Sequence, residues 1–259
     1  EYFIVHFNNE KIYSRLIKMK INELKHDLAA AFRWTARLNM NEGIANHYSV
    51  CLPNSNDFYV NGSGLHFSSI KASDMVLVEQ DKIEEIKNNP ELVDPTALNI
   101  HGTIHRKVPH ARCILHVHSK YATALSTLKD PVLKPIDQNT MRFFNRISTF
   151  NDFGGLGFEE ESNKMASAIG NNSLLLLANH GILTVGQTVA DAFDKLYYFE
   201  KACETYMTAL STNAELNVVD SKIAEKTAQE WENYPVNMGQ QHLDEIKKIL
   251  DKEDISYRE

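Results

Sequence analysis

The chain has 259 residues, 43% of them hydrophobic, enough to bury a full core in one large domain or one domain with appendages. A net charge of -7 without long basic runs argues against nucleic acid or an anionic membrane surface as partner. The three scattered cysteines, Cys51, Cys113 and Cys203, form no CxxC and point to a reducing, cytoplasmic setting. No apolar run approaches the ~20 residues needed to span a bilayer.

Residues 1–18 lack an initial Met and carry only the short apolar run YFIV. They are read as a leader or variable arm, with Met19 as a natural start. Ile21, Leu24, Leu28, Ala31, Phe32 and Leu38 recur at helical spacing and predict an amphipathic helix over 21–38. Residues 49–52 and 57–60 read as strands paired around the turn PNSND. NGSG at 61–64 is a glycine loop, 75–78 a short strand and 80–94 a polar loop. Pro95 suits a first helical position and Asp94 an N-cap, so 95–105 is a helix. A strand over 112–118 leads into a helix over 122–128. The run LLLLA at 174–178 is a buried strand, followed by another over 182–185. A long helix over 188–210 has core positions Ala192, Leu196, Phe199, Ala202 and Tyr206. Two more helical patterns follow at 221–232 and 239–251. Strands and helices intermix without strict βαβ alternation, which predicts an α/β fold with a central mixed sheet flanked by helices. The division is an arm (1–18), a main domain (19–215) and a C-terminal helical extension (216–259).

CILHVHS places His116 and His118 two residues apart on a strand, hence on one face at its C-terminal end. Two neutral imidazoles so placed can chelate one divalent ion, or can be polar residues on a half-exposed face. His180, in ANHGILTVG, follows the apolar strand and precedes Gly181. Alone it reads as a turn cap. With the pair it makes a third imidazole at a neighbouring strand end, a three-histidine set with open positions.

HVHSKYATALS followed by NHGILTVG resembles the class II aldolase/adducin domain. The resemblance covers about residues 21–212 and includes ANHYSV at 45–50 and VNGSGLHFSSIKASDMV at 60–76. It implies a three-layer α/β/α fold with a mainly antiparallel central sheet, usually a homotetramer with active sites between subunits. It also implies that His116, His118 and His180 are metal ligands. The metal would be zinc first, with Fe(II) or Mn as alternatives.

The family's aldolases carry a Glu four residues before the helix histidine matching His101. Here DPTALNIH puts Ala97 at that place, and Asp94 is the nearest carboxylate. The acid–base candidates are then His101, His105 and His47, since imidazole titrates near neutrality. His101 and His105, four apart on one helix face, either act or merely pack. His47 stands in NHYS where sugar-phosphate aldolases have GNxS. Gly62, Ser63 and Gly64 match the family's anion-binding loop, or form an ordinary turn, and Thr96 adds a hydroxyl. The segment 134–155, KPIDQNTMRFFNRISTFNDFGG, resembles a side branch that includes iron-dependent decarboxylating oxygenases. In it Gln138 either contacts substrate or caps local backbone.

The expectation is a metal-dependent, lyase- or epimerase-like enzyme acting on a small oxygenated carbonyl, carboxylate or sugar-phosphate compound. The alternatives are a non-haem Fe(II) oxygenase or decarboxylase in the same fold, and a non-catalytic adducin-like assembly domain. No nucleic-acid or membrane partner is expected.

Overall fold

The computed structural model describes residues 2–259 apart from 153 and 157, with side chains described from residue 16 onward except that of residue 159. Seven strands form one sheet: β1 (His47–Cys51), β2 (Phe58–Asn61), β3 (Met75–Val78), β4 (Cys113–Val117), β5 (Ser148–Phe150), β6 (Leu174–Leu177) and β7 (Gly181–Gly186). Their spatial order is β3-β2-β1-β4-β7-β6-β5. Every pairing is antiparallel except β5 with β6. The helices are α1 (Tyr2–Arg37), α2 (Ile83–Lys87), α3 (Pro95–Lys107), α4 (Lys120–Ser126), α5 (Gln138–Arg142), α6 (Glu159–Ile169), α7 (Val189–Ser211), α8 (Ser221–Glu232) and α9 (Met238–Glu253). This is the expected α/β/α arrangement around a mixed, mainly antiparallel sheet.

Strand alternation sorts side chains between the two helix layers. Leu174 and Leu176 of β6 join the core beneath α1, α7 and α9, while Leu175 and Leu177 join the core beneath α3 and α6. A strand covered on both faces reads as a continuous apolar run, which is why LLLL lacks alternation. In β4, Cys113, Leu115 and Val117 face the α7 layer, and Ile114 faces α3. His116 therefore shares the α3 side with Ile114. In β1, Tyr48 and Val50 enter the α7-side core, which leaves His47 and Ser49 facing α3.

Several elements differ from the sequence expectation. The first helix runs back to Tyr2 rather than starting near Ile21. β1 begins at His47, which puts that imidazole inside the sheet. The polar stretch 80–94 holds a 3-10 turn and α2. β5 has only three residues on the sheet edge, too few for a periodic signal. α6 buries Ser162, Met165, Ala166 and Ile169, but its acidic first turn hides that spacing.

α9 packs on α1 and α7, so the C-terminal helices cover their own domain. Beyond α9, Tyr257 is fully buried, and the Ser73 amide donates to the Glu259 carbonyl oxygen at 2.7 Å. Arg33 of α1 donates to the carbonyl oxygens of Ser69 and Ile70 in the neighbouring loop. Among the described residues no helix is long and apolar enough to cross a membrane.

Candidate metal centre

The C-terminal end of β4 and the β6–β7 turn meet at one edge of the sheet. Cα pairing sets Val117 opposite Ile182, so His118 comes level with Gly181. Asn179 has φ 57°, the left-handed conformation that Asn tolerates, and it turns the chain to deliver His180. Gly181 then allows a close approach. A Cβ there would lie 2.5 Å from the Val117 carbonyl oxygen and 3.0 Å from the His118 ring. The NHG triplet is thus a steric device that seats His180 beside His118.

His116, His118 and His180 each offer a ring nitrogen, and these atoms all lie within 4.8 Å of one another. The ring centroids are 4.9, 4.9 and 4.7 Å apart. His116 donates its Nδ1–H to the Ile182 carbonyl oxygen at 3.0 Å, and His118 Nδ1 bonds the Glu42 carboxylate. Both rings therefore turn Nε2 inward, and the two Nε2 atoms are 3.1 Å apart. With Nδ1 protonated, the Nε2 of neutral His116 is a bare lone pair aimed at the Nε2 of His118. A cation between the two Nε2 atoms would satisfy both rings at once. At metal–nitrogen bonds of ~2.0–2.1 Å the spacing corresponds to a ligand–metal–ligand angle of roughly 100°. The donor set fits a divalent ion, with the outward nitrogens held by a carbonyl and a carboxylate.

The electrostatics keep His116 and His180 in the ligand form. Burial holds the His116 pKa well below the usual imidazole value, and the neighbouring His47, His180 and His118 reinforce it. Burial, and then His118, lowers His180 to about 4, against the pull of the Glu161 and Glu42 carboxylates. Both are neutral at pH 7, as metal ligation requires.

His47 lies directly across from His116 in the β1–β4 ladder, with ring centroids 4.9 Å apart. Its pKa is lowered to about 4 by burial, with the Asp94 charge pulling it back and His118 and His180 pushing it further down. His101 and His105 project from α3 onto the same side and are fully enclosed. His47 Nδ1 is 2.7 Å from His101 Nε2, and Ser49 Oγ bonds both His101 Nδ1 and His105 Nε2, the latter at 2.7 Å. The three acid–base candidates thus form one cluster that touches the triad through His47.

Ala97 is 1% exposed and packs with Cys51, Phe58, Val60 and Leu98. Its place is filled by apolar contacts. Asp94 caps α3 through Oδ1, which accepts from the amides of Thr96 and Ala97. Thr96 spends its hydroxyl proton on the same oxygen. In the glycine loop the Gly62 amide donates to the Asp74 carbonyl oxygen at 3.2 Å and the Ser63 amide to that of Leu92 at 3.1 Å. Two of the loop's amides are therefore engaged within the fold, and Gly64 takes φ 73°. Gln138 opens α5, which packs on α7 and α8 across the sheet from His101.

Three participants are absent from the sequence-based candidates. Glu42 is held in its loop by its amide, which donates to Asn46 Oδ1 at 2.6 Å. Nothing in its local spacing announces it. Ser49 alternates with His47 on β1, so strand parity alone places it on the histidine face. Glu200 of α7 is buried and accepts from Ser119 Oγ at 2.6 Å and from the amides of Tyr121 and Ala122 at 2.8 and 2.9 Å. It anchors the start of α4, immediately after His118. A carboxylate on the apolar face of α7, four residues after Leu196, is a legible sign of such a role.

The Class II Aldolase and Adducin N-terminal domain family matches residues 26–207. A protein of Pseudomonas aeruginosa named for the class 2 aldolases is 31% identical over 198 residues, covering 76% of this chain and 75% of its own length. Decarboxylase NovR of Streptomyces niveus is 31% identical over 189 residues, covering 72% of this chain and 69% of itself. A 4-hydroxy-3-prenylphenylpyruvate oxygenase/4-hydroxy-3-prenylbenzoate synthase of Streptomyces roseochromogenus is 28% identical, covering 82% and 79%. Among solved structures, the L-fuculose 1-phosphate aldolase of Glaciozyma antarctica superposes with a TM-score of 0.80 at 27% identity, covering 94% of each chain. The chain belongs to the class II aldolase/adducin family, whose members include proteins named aldolase, decarboxylase, oxygenase and adducin.

Proposed function

We propose that this protein is a divalent-metal-dependent, lyase- or epimerase-like enzyme acting on a small oxygenated carbonyl or carboxylate compound. The observation that carries the reading is the pair of inward Nε2 atoms on His116 and His118, 3.1 Å apart, with His180 completing a three-imidazole face. A divalent ion held there, zinc in the first instance, supplies Lewis acidity to a carbonyl or carboxylate oxygen.

The remaining tasks fall to the chain. His47, neutral and beside the triad, is placed to take a proton from a substrate hydroxyl, and the Asp94 charge favours the resulting imidazolium. Glu42 holds the His118 ring in its inward orientation. The amides of Gly62 and Ser63 are engaged within the fold, which removes two donors that a phosphate at that loop would use. A homotetramer with small-molecule substrates goes with this reading.

A second reading, an Fe(II) oxygenase or decarboxylase, is favoured by the apolar packing of Ala97 and by the relatives named decarboxylase and oxygenase. Three neutral imidazoles suit iron as well as zinc.

Metal analysis of protein purified without added metal separates the two. Retained zinc with no O₂ uptake supports the lyase, and Fe(II) with O₂ consumption on a 2-oxo acid supports the oxygenase. A protein that binds neither ion, and that His116→Ala leaves unchanged, ends both readings.

A further inference from the structure

His47, His101, Ser49 and His105 form one continuous hydrogen-bonded chain that starts beside the triad and ends at the Ala111 carbonyl oxygen. Their exposures are 3%, 0%, 0% and 2%, so water does not compete for these bonds. The far end fixes the direction of every proton. A carbonyl oxygen only accepts, so His105 donates Nδ1–H to Ala111 at 2.6 Å. Burial keeps His105 neutral, with its pKa lowered to about 3, and leaves its Nε2 bare. Only the Ser49 hydroxyl can fill that lone pair. That hydroxyl has one proton, so towards His101 its oxygen must accept, and His101 donates from Nδ1. His101 is neutral too, so its Nε2 is bare and accepts Nδ1–H from His47. His47 is left with an unprotonated Nε2.

The reverse arrangement fails on charge. If Ser49 donated to His101, His105 would have to donate from both nitrogens. It would then be an imidazolium in a closed site where the Arg112 charge opposes it. For the same reason the chain does not conduct a proton inward. It ends on a carbonyl that cannot be protonated at neutral pH, beside a group that resists charge.

We propose that Ser49 is a positioning residue that locks His47 in its Nδ1–H tautomer, reserving the Nε2 lone pair for a proton of a substrate at the metal centre. The ring spacing from His47 to His116, 4.9 Å, equals the widest spacings within the triad. The lock rests on the reading of His47 as the base of that site. It differs from a general packing role because it specifies which nitrogen of a distant ring carries the proton.

The test is two-bond ¹H–¹⁵N correlation of the imidazoles in the full chain, ¹⁵N-labelled, metal-free and zinc-loaded. The expected result is a single Nδ1–H state for His47, His101 and His105 in both samples. In Ser49→Ala the acceptor for His101 is lost, and His47 becomes a mixture of tautomers with zinc stoichiometry unchanged. Ser49→Thr, which restores a hydroxyl, returns the single state. A wild-type His47 protonated on Nε2, or a His47 signal unmoved in Ser49→Ala, overturns the proposal. The wild-type spectrum decides even if Ser49→Ala does not fold. A locked His47 in a protein that binds no metal defeats the proposed function and spares the lock. A mobile tautomer in a zinc-binding protein defeats the lock alone.

Discussion

The fold holds two clusters of three histidines that touch at one point, and they solve opposite problems with the same side chain. In the cluster of His116, His118 and His180, the Nδ1 atoms of His116 and His118 bond outward, and the Nε2 atoms of the same two rings face each other across 3.1 Å. In the cluster of His47, His101 and His105 a proton lies in every gap, and the rings plus Ser49 satisfy one another. The first cluster brings three imidazoles within ligand distance of one another and sits partly open at a strand end. The second is closed, and its internal bonds leave only the Nε2 of His47 bare. An imidazole becomes a ligand or a structural relay according to which of its nitrogens the surroundings leave bare.

The closed cluster is most easily broken by acid. His101 and His105 have pKa values lowered by burial, to about 3 for His105, whereas an unfolded histidine protonates near 6.5. Below pH ~6.5 His101 and His105 alone therefore bind two more protons in the unfolded chain than in the folded one, the lowered pKa values of His47, His116 and His180 add in the same direction, and stability falls as pH drops towards 3. His101 and His105 each contribute about 1.4 kcal/mol per pH unit, ~3 together. Urea midpoints of metal-free protein at pH 7, 6 and 5 check this, and a flat profile would mean the cluster is solvated.

The open cluster is broken by removing a ligand. His116→Ala is expected to weaken zinc binding by more than the ~10–100-fold typical of outer-shell changes. His101→Ala should leave zinc stoichiometry intact. Calorimetric titration of both variants distinguishes a ligand set from a general histidine effect, and equal losses would erase the contrast between clusters.

The smallest expected change sharpens the boundary of the open cluster. Glu42→Ala removes the carboxylate behind His118, so zinc affinity should fall by ~10–100-fold with stoichiometry retained. Unchanged affinity would assign Glu42 to the loop alone.

The long helix α7 and the shared face of His116 and His118 were readable from spacing, because alternation and the 3.6-residue period act within a short window, whereas His180 joined them through the family resemblance. The lengths of α8 and of β3 match their expected bounds. The relay was not readable as a relay. His47, His101 and His105 stood out as titratable groups, but Ser49 connects residues 52 and 56 positions away, a link that only strand pairing and helix docking create. Glu42 reaches His118 across 76 positions for the same reason. β5 escaped because a three-residue edge strand has no period. The glycine loop was legible as a turn, whereas the engagement of its amides depends on Leu92 and Asp74, two partners brought in by the fold.

The Glu200 clamp has a consequence for the order in which the protein comes together during synthesis. Ser119 and Glu200 are 81 positions apart. All three triad histidines are in the chain once residue 180 is made, yet the carboxylate that seats the segment after His118 lies in the middle of α7, twenty residues later. A nascent chain stopped between these points carries every imidazole and lacks the anchor that holds the HxH strand end in place. Long-range closure of this kind is slow relative to local helix formation. An ordered three-histidine face therefore belongs to the late stage of folding, after α7 has docked across the sheet.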